Sequence, residues 1–224
     1  MGTKPSFEVS SLVDLVRSFL QQSIVTGEFE PGQQIKEEEV AVKLNISRPP
    51  VREGFKLLEA EGLVTRRPRK GVFVSEITEK DVWEIYTLKS VIYGLASRLA
   101  VNNLSERQIK NLEKTYRRME ECVSKEPPDI TKYQELNDTF HFITIDSASH
   151  ERLKKVVLSL NNQIHRFSYK SLSDREYLLS SLDYHRKILC AIRDRKAEEA
   201  ETLTREHVLR GLHRQKNESH FKQI

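Results

Sequence analysis

The chain has 224 residues, of which 38% are hydrophobic and 31% charged, and these proportions fit a helix-rich globular protein of one large or two small domains. A net charge of only +4 excludes a polycationic tail, so any nucleic-acid binding must come from local charge patterns. No apolar run approaches the roughly 20 residues of a membrane-spanning helix, and no signal segment is visible. Cys122 and Cys190 lie in helical patterns and are interpreted as apolar residues rather than as a disulfide. We therefore expect a cytoplasmic protein that binds no membrane.

Two helices and a tight turn are predicted near the N-terminus, and the second helix and the turn begin a helix-turn-helix. Ser10 or Ser11 can cap a first helix, whose apolar residues recur on one face as far as Gly27. Residues 36–44 form a second, short helix in this interpretation, and residues 45–46 form a tight turn. A short helix followed by such a turn is the first half of a helix-turn-helix, in which the next helix contacts bases.

A third helix is predicted over SRPPVREGFKLLEAEG, residues 47–62. We expect Ser47 to cap it by accepting from a backbone N–H, with Pro49 and Pro50 in the first turn, where a missing N–H removes no intrahelical bond. Gly62 is expected to end it, because glycine best tolerates a left-handed cap. The apolar seam consists of Val51, Phe55 and Leu58, and the cationic seam consists of Arg48, Arg52 and Lys56. Alone, such a cationic seam is more typical of a solvated helix face.

Two short strands and a basic loop are predicted after this helix. The strands cover residues 63–65 and 72–74, and the loop, residues 66–71, ends in a glycine that permits a turn. Residues 47–70 hold seven Lys and Arg against three Glu, whereas residues 1–46 hold four against seven acidic residues. Positive charge is thus confined to the third helix and the loop, which we interpret as a wing that meets phosphates or the minor groove.

The segments SRPPVREGF, LEAEGLV and GVFV resemble the signature of the winged helix-turn-helix in GntR-family transcription regulators. The resemblance covers about residues 10–77 and implies a DNA-binding domain over residues 1–77. Glu38 departs from it, because several relatives carry a phosphate-contacting Arg there, and we assign Glu38 no such role. The residues expected at the DNA are Ser47, Arg48, Pro49, Arg52, Lys56, Arg69, Lys70 and Gly71.

Residues 78–224 are predicted to form a second, all-helical domain with almost no strand signal. Capping boxes at Thr78 and Ser105 begin its first two helices, the first of which ends near residue 100. The later helices are predicted over residues 130–147, 151–167, 180–193 and 196–213, with a looser polar stretch at residues 168–176. The predicted fold is therefore mainly α, a winged helix-turn-helix followed by an all-α bundle of six or seven helices.

Three histidines, His141, His185 and His207, lie on three different predicted helices of this bundle. Imidazole is a common ligand of zinc, nickel, copper and iron, and three facing helices can bring three imidazoles to one ion. A single helical histidine is most often an ordinary surface or hydrogen-bonded residue, so each of the three is open to that interpretation as well. The ordinary interpretation is kept for His150, His165, His213 and His220.

The C-terminal half resembles the FCD effector domain that follows the DNA-binding domain in the largest GntR subfamily. Metal-binding members show DxxFH, EHxxIxxAI and a final H, where this chain has NDTFH, YHRKILCAI and His207. The resemblance implies a divalent metal (Zn, Ni or Mn) held by Asn137, His141, His185 and His207. Asn137 departs from the usual Asp, and an amide oxygen is a weaker ligand than a carboxylate. Asp138 could replace it only if the helix were rotated.

A further departure concerns the first helix of this domain. Relatives often show ELRxxLE, whereas this chain has TLKSVIY, so that the usual Arg is Lys89 and the usual Glu is Tyr93. Lys89 keeps a cation but loses the planar fork that grips a carboxylate. Effector binding by Lys89 and an ordinary solvated role for it are equally open.

These features together predict a ligand-responsive, sequence-specific transcription regulator that is not an enzyme. Its second domain would bind a small organic acid, with or without the metal, and would form a homodimer that matches a palindromic double-stranded operator. One alternative is a metal-dependent hydrolase or isomerase with an accessory nucleic-acid module. A second alternative is an architectural DNA protein without an effector. The sequence shows no paired carboxylate, nucleophile elbow or phosphate loop beside the histidines, and core-facing histidines argue against the architectural alternative.

Overall fold

The protein falls into two units, one that ends at Ile77 and one that begins at Thr78. The computed structural model describes residues 11–76 and 78–218, with the backbone alone for residues 159, 162–170 and 214–218. Each unit has a hydrophobic core of its own. Among the described helices, none is both long and apolar enough to cross a membrane.

Between residues 11 and 76, three helices and a three-stranded sheet form the first unit. Its elements are α1 (Leu12–Val25), β1 (Gln34–Ile35), α2 (Glu37–Leu44), α3 (Arg48–Ala60), β2 (Val64–Arg67) and β3 (Gly71–Val74). The central strand β3 pairs antiparallel with both β1 and β2. The predicted winged helix-turn-helix is confirmed. Strand β1 was not predicted, because two residues are too few to show a period.

The core of this unit lies where α1 packs on α3. Val16 and Leu20 of α1 and Phe55 of α3 are fully buried, as the apolar seam of the third helix predicts. Each such side chain contributes about 1.5–3 kcal/mol when it is removed from water. Gly54 lets the two helices approach closely, since a Cβ here would come within 2.6 Å of Val16 Cγ1. The buried seam leaves the opposite face of α3 to solvent.

The predicted cap of α3 is wrong in one respect. Ser47 stands at the cap position with extended backbone angles, φ −74° and ψ 161°, but its side chain makes no cap hydrogen bond. A capping side chain accepts from the second or third residue of the helix, and Pro49 and Pro50 occupy those positions without an N–H. The prolines preset the first turn instead. At the other end, Gly62 has φ +76°, as predicted.

Over residues 78–218, six helices form the second unit. They are α4 (Glu79–Asn103), α5 (Glu106–Ser124), α6 (Ile130–Ser147), α7 (Glu151–Leu172), α8 (Arg175–Arg193) and α9 (Ala197–Glu218). The predicted capping boxes are confirmed, because Thr78 and Ser105 each accept from the backbone N–H three residues on, and Asp81 and Gln108 return the bond. The predicted all-α domain is thus present.

The stretch predicted to be loose, residues 168–176, is mostly helical. Helix α7 continues to Leu172 and α8 begins at Arg175, so two residues separate them. Asp174 caps α8 by accepting from the Tyr177 N–H at 2.8 Å. Polar composition concealed these helix ends, because periodicity is read from apolar residues, whereas Asp174 was the local signal for the start of α8.

Apolar side chains of α4, α5, α6 and α8 supply most of the core of the bundle. The largest fully buried ones are Leu112, Met119, Tyr133, Phe140, Leu178, Ile188 and Ile192. Cys122 is buried, Cys190 is half-buried, and both are free thiols, as predicted. Helix α9 packs along α4 and α8, and α4 also packs against α6. This packing turns one face each of α6, α8 and α9 toward a common interior.

Candidate functional site

Helices α2 and α3 form the helix-turn-helix through a left-handed residue. Asn45 has φ 53° and ψ 48°, a conformation that asparagine tolerates better than most residues. The Ile46 N–H donates to the Ala41 carbonyl at 3.0 Å and closes the turn. The predicted DNA residues at the start of α3 and along its outer face are all exposed: Ser47, Arg48, Pro49, Arg52 and Lys56.

Carboxylates of α2 contact two of these cations. Arg52 donates through Nε and Nη2 to the Glu37 carboxylate at 3.0–3.3 Å, and Arg48 donates through Nη2 to Glu38 at 2.7 Å. The hydrogen bond from Arg52 holds the pKa of the Glu37 carboxyl below its usual value, and the pKa of Arg52 is raised in return. The charge count identified the cations but missed these partners, which lie on the preceding helix.

The loop at the tip of the wing is shorter than predicted. Strand β2 runs to Arg67 and so includes two residues that the sequence assigned to the loop, and the turn is limited to residues 68–70. Arg69 at φ 61° and Gly71 at φ 104° reverse the chain there. Arg69 and Lys70 are exposed. The tip therefore presents two cations, a composition suited to phosphate contacts.

The three predicted histidines converge inside the second unit. His141 of α6, His185 of α8 and His207 of α9 are each at most 8% exposed. One ligand atom of each lies within 4.8 Å of the others, and His141 Nε2 is 3.3 Å from His207 Nε2. Of the histidines interpreted as ordinary, His150 and His213 are exposed, and the side chains of His165 and His220 lie outside the described residues.

One buried imidazole nitrogen of this cluster has no hydrogen-bond partner among the side chains and backbone that the structure describes. His185 Nδ1 lies 2.7 Å from the Ser181 carbonyl oxygen, which places the proton on Nδ1 and a lone pair on Nε2. Within the described part of the chain, that Nε2 has no hydrogen-bond partner. A buried polar atom of this kind costs about 1–3 kcal/mol unless a ligand satisfies it. The spacing of His141 Nε2 and His207 Nε2, 3.3 Å, matches that of two nitrogen ligands on a tetrahedral zinc, which lie about 3.3 Å apart from bonds of about 2.0–2.1 Å. The third imidazole lies close enough, within 4.8 Å, to share the same ion.

Burial keeps all three imidazoles neutral at physiological pH. It lowers the pKa of His185 from 6.5 to about 4. It also holds the pKa of both His141 and His207 well below the usual value, and repulsion from His185 lowers them further. The neutral imidazole is the form that a metal requires, so the protonation state of the cluster is compatible with a metal ion.

A cavity of about 40 Å³ lies beside the cluster. Two of the histidines, His141 and His207, line it, and so do the candidate residues Lys89 and Asn137. Sequence reasoning missed three further polar lining residues: Tyr86, Tyr177 and Ser181. For Ser181 the available signal was its position one helical turn before His185, and the two tyrosines carry no motif.

Asn137 lies at the cavity, where it is half-buried. Its Nδ2 donates to Asp138 Oδ1 at 3.1 Å. Among the described His, Cys, Asp and Glu side chains, the three histidines are the group close enough together to share one ion. Asp138 does not belong to this group. Asp138 instead acts on the cavity through its charge.

Lys89 and Tyr93, the two departures on α4, lie together beside the histidines. Lys89 Nζ is 4.7 Å from the centroid of the Tyr93 ring, and that ring meets the His141 imidazole edge-on at 5.2 Å between centroids. Burial lowers the pKa of Lys89 from 10.5 to about 8, against the opposing charge of Asp138. The Tyr93 hydroxyl donates to Asn161 Oδ1 at 2.6 Å, which fixes the ring.

Comparison with known families and proteins agrees with this architecture. The FCD domain matches residues 84–210, and the gntR family of bacterial regulatory proteins matches residues 12–74. The chain belongs to the GntR family, in its FCD subfamily. This GntR-family chain is 30% identical to an uncharacterized HTH-type transcriptional regulator of Bacillus subtilis (YdhC) over 190 residues, or 85% of this chain and 83% of that one.

A second relative of this GntR-family regulator is the Nta operon transcriptional regulator of Aminobacter aminovorans, 27% identical over 200 residues, which are 89% of this chain and 88% of that one. The fold is similar to that of McbR/YncC from E. coli, with a TM-score of 0.80 and 19% identity over 93% of this chain and all of that one. Members of the family are DNA-binding transcription regulators and not enzymes, which decides against the hydrolase or isomerase alternative.

Proposed function

We propose that this regulator changes its operator binding when a small carboxylate enters the cavity beside His141 and His207, and that a divalent metal takes part in holding it. The observation that carries the proposal is the buried Nε2 of His185, which has no hydrogen-bond partner among the described residues and lies beside two further neutral imidazoles. Lys89 lies at the same cavity and supplies a cation for an acidic ligand. An anion relieves the repulsion between a bound metal and this lysine.

The donor set favours zinc or nickel over manganese. His141, His185 and His207 offer three imidazole nitrogens, and imidazole suits zinc and nickel, whereas manganese prefers oxygen ligands. Asn137 would add an amide oxygen from the rim of the cavity. When bound, the metal supplies positive charge and open coordination positions for a carboxylate.

Lys89 and the size of the cavity restrict the effector. A volume of about 40 Å³ is little more than that of one water molecule, about 30 Å³, so the cavity admits a small group such as a carboxylate and little more. Lys89 would attract that group as a point charge, and the Tyr93 ring steadies the ammonium by about 0.5–2 kcal/mol. The proposed effector therefore places a carboxylate group in the cavity, next to Lys89.

The DNA contacts are proposed for the outer face of α3 and the tip of the wing. We assign Arg52 to a base edge in the major groove, and Arg69 and Lys70 to phosphates. Their exposure and charge support this assignment. The remaining proposed contacts are Ser47, Arg48, Pro49, Lys56 and Gly71.

A homodimer is proposed through the outer face of α4. Leu88, Val91 and Leu95 are 48%, 49% and 39% exposed, and their spacing of three and four residues puts them on one stripe. Members of this family typically bind operators as dimers. A two-fold dimer would match a palindromic operator in the cytoplasm, and the effector would change its affinity by about 1–3 kcal/mol of coupling.

Operator release by a ligand tests this function directly. A duplex that the protein selects from a random-sequence library would be labelled and titrated by fluorescence anisotropy, with metal-loaded protein and a panel of small carboxylates. We expect at least one carboxylate to shift Kd by about 5- to 150-fold. His185→Ala and Lys89→Ala should lose this response and still bind the duplex. If no carboxylate acts and the purified protein carries no metal, the architectural alternative is the better account.

A further inference from the structure

We infer that Glu37 is a positioning residue for DNA reading, because it holds Arg52 so that the end of its guanidinium is presented to a guanine. The inference rests on the proposed assignment of Arg52 to a base edge. It adds the identity of the base, a guanine, and names Glu37 as the residue that orients Arg52. Glu37 begins α2 and Arg52 lies one turn into α3, so the contact crosses the helix-turn-helix.

The Glu37 carboxylate grips one edge of the Arg52 guanidinium. Arg52 Nε lies 3.3 Å from both carboxylate oxygens, and Nη2 lies 3.0 Å from Oε2. Nε and Nη2 form the side edge of the planar group, and both point toward α2. The long side chain of Arg52 is thereby restrained before any DNA arrives, so less rotamer freedom remains to be lost on binding.

The terminal edge of the Arg52 guanidinium still has N–H donors that Glu37 does not use. A guanidinium has five N–H groups, and the bonds to Glu37 involve the Nε–H and one N–H on Nη2. Among the residues that the structure describes, the terminal edge, formed by Nη1 and the second N–H of Nη2, has no hydrogen-bond partner and is left for another one. Guanine offers two adjacent acceptors, O6 and N7, in the major groove, and this spacing matches two parallel N–H donors.

The neighbouring pair of Glu38 and Arg48 differs from this arrangement. Arg48 donates to Glu38 through the terminal Nη2 alone, and the Glu38 side chain is 71% exposed. The Glu37 side chain is 25% exposed and also lies in the field of Arg66 and Arg48. Glu37 is thus the anchored carboxylate, and Glu38 provides a matched control on the same helix.

The test uses the selected duplex, with each G·C pair replaced in turn and with single 7-deazaguanine substitutions that remove the N7 acceptor. For the unmodified protein, we expect one G·C pair in each half-site to be worth roughly 5- to 150-fold in affinity. Glu37→Gln should lose most of that discrimination at this pair alone, because an amide offers one acceptor oxygen in place of two. Affinity for random DNA should not fall.

Two further variants separate charge from position. Glu37→Asp keeps the charge but withdraws the carboxylate by one methylene, and it should also lose discrimination at that pair. Glu38→Gln should keep it. Equal changes in affinity for every duplex, with the discrimination retained in Glu37→Gln, would overturn the inference and leave Glu37 a simple negative charge.

Arg52→Ala distinguishes failure of the inference from failure of the proposed contact. If this variant keeps discrimination at every G·C pair, Arg52 is not the reader and the assignment itself is wrong. If it abolishes discrimination at one pair while Glu37→Gln and Glu37→Asp do not, the contact stands and the positioning role of Glu37 is refuted. Thermal melting of each variant checks that the fold is intact, since a structural defect would weaken binding to all duplexes alike.

Discussion

His141 and His207, on different helices, bring their Nε2 atoms to 3.3 Å from each other. Two neutral imidazoles at this distance can share one proton between them, or both can direct a lone pair at a single cation. In the third imidazole, that of His185, the Nδ1–H donates to the Ser181 carbonyl oxygen, and Nε2 makes no hydrogen bond to the described residues. Three lone pairs can therefore point at one centre, which favours the metal site over a satisfied polar core.

Metal binding should raise the melting temperature of the protein. An ion that binds the folded state alone contributes about 2.7 kcal/mol when its free concentration is 100 times Kd. Chelation should therefore lower the melting temperature, and zinc or nickel should restore it. His185→Ala should abolish this response, whereas the exposed His213→Ala should keep it. No metal in tag-free protein, together with no shift on adding Zn, Ni or Mn, would contradict the site.

Asn137→Asp should tighten metal binding. A carboxylate at the cavity adds a negative charge near the three imidazoles, and we expect an affinity gain on the order of 10-fold. Competition with a chromogenic chelator would measure it. Asp138→Asn serves as the control, because it removes a neighbouring charge without changing the proposed ligand. An unchanged affinity in Asn137→Asp would place Asn137 outside the ligand set.

Metal-free protein should lose stability as the pH falls from 6.5 toward 4. The pKa of His185 is about 4 in the folded state against a usual 6.5, so the unfolded chain takes up a proton first and is favoured. This contribution is complete above pH 6.5 and is lost as the pH falls through the window. Melting temperatures from pH 8 to 4 should fall less steeply in His185→Asn. Equal slopes would mean that His185 titrates normally when folded.

Helix α3 and the wing should respond differently to mutation. Arg52→Ala should cost about 1–3 kcal/mol on the selected duplex and less on random DNA, because a base contact carries specificity. Arg69→Ala should weaken both alike and reduce the slope of log K against log salt by about one. Arg117→Ala, in the second unit, is the control. Equal effects of Arg52→Ala on both DNAs would refute its assignment to a base.

The apolar stripe of α4 should control assembly. Val91→Glu places a charge in the middle of the stripe, and it should convert a dimer to a monomer at micromolar concentration. Light scattering would measure the mass. Leu179→Glu changes an equally exposed residue of α8 and should leave the dimer intact. A monomeric mass for the unmodified protein, both free and on DNA, would refute the homodimer.

Local signals in the sequence determined most of the secondary structure. The caps at Thr78 and Ser105 were predictable because a capping box joins residues three positions apart. The absence of a side-chain cap at Ser47 could also have been predicted from the sequence, since Pro49 and Pro50 have no N–H to donate. Family motifs identified the three histidines. In each case the deciding contact or pattern lies within one helix or one short segment.

The tertiary structure decided the distances and the charge states of residues that lie far apart in the chain. Glu37 lies 15 positions from Arg52, and His141 lies 66 positions from His207, so no periodicity links the members of either pair. Burial likewise depends on the packing of several helices, and it makes His185 neutral and lowers the pKa of Lys89 to about 8. The sequence supplied the chemical groups, and long-range packing set their charge states and partners, because both depend on which distant side chains exclude water.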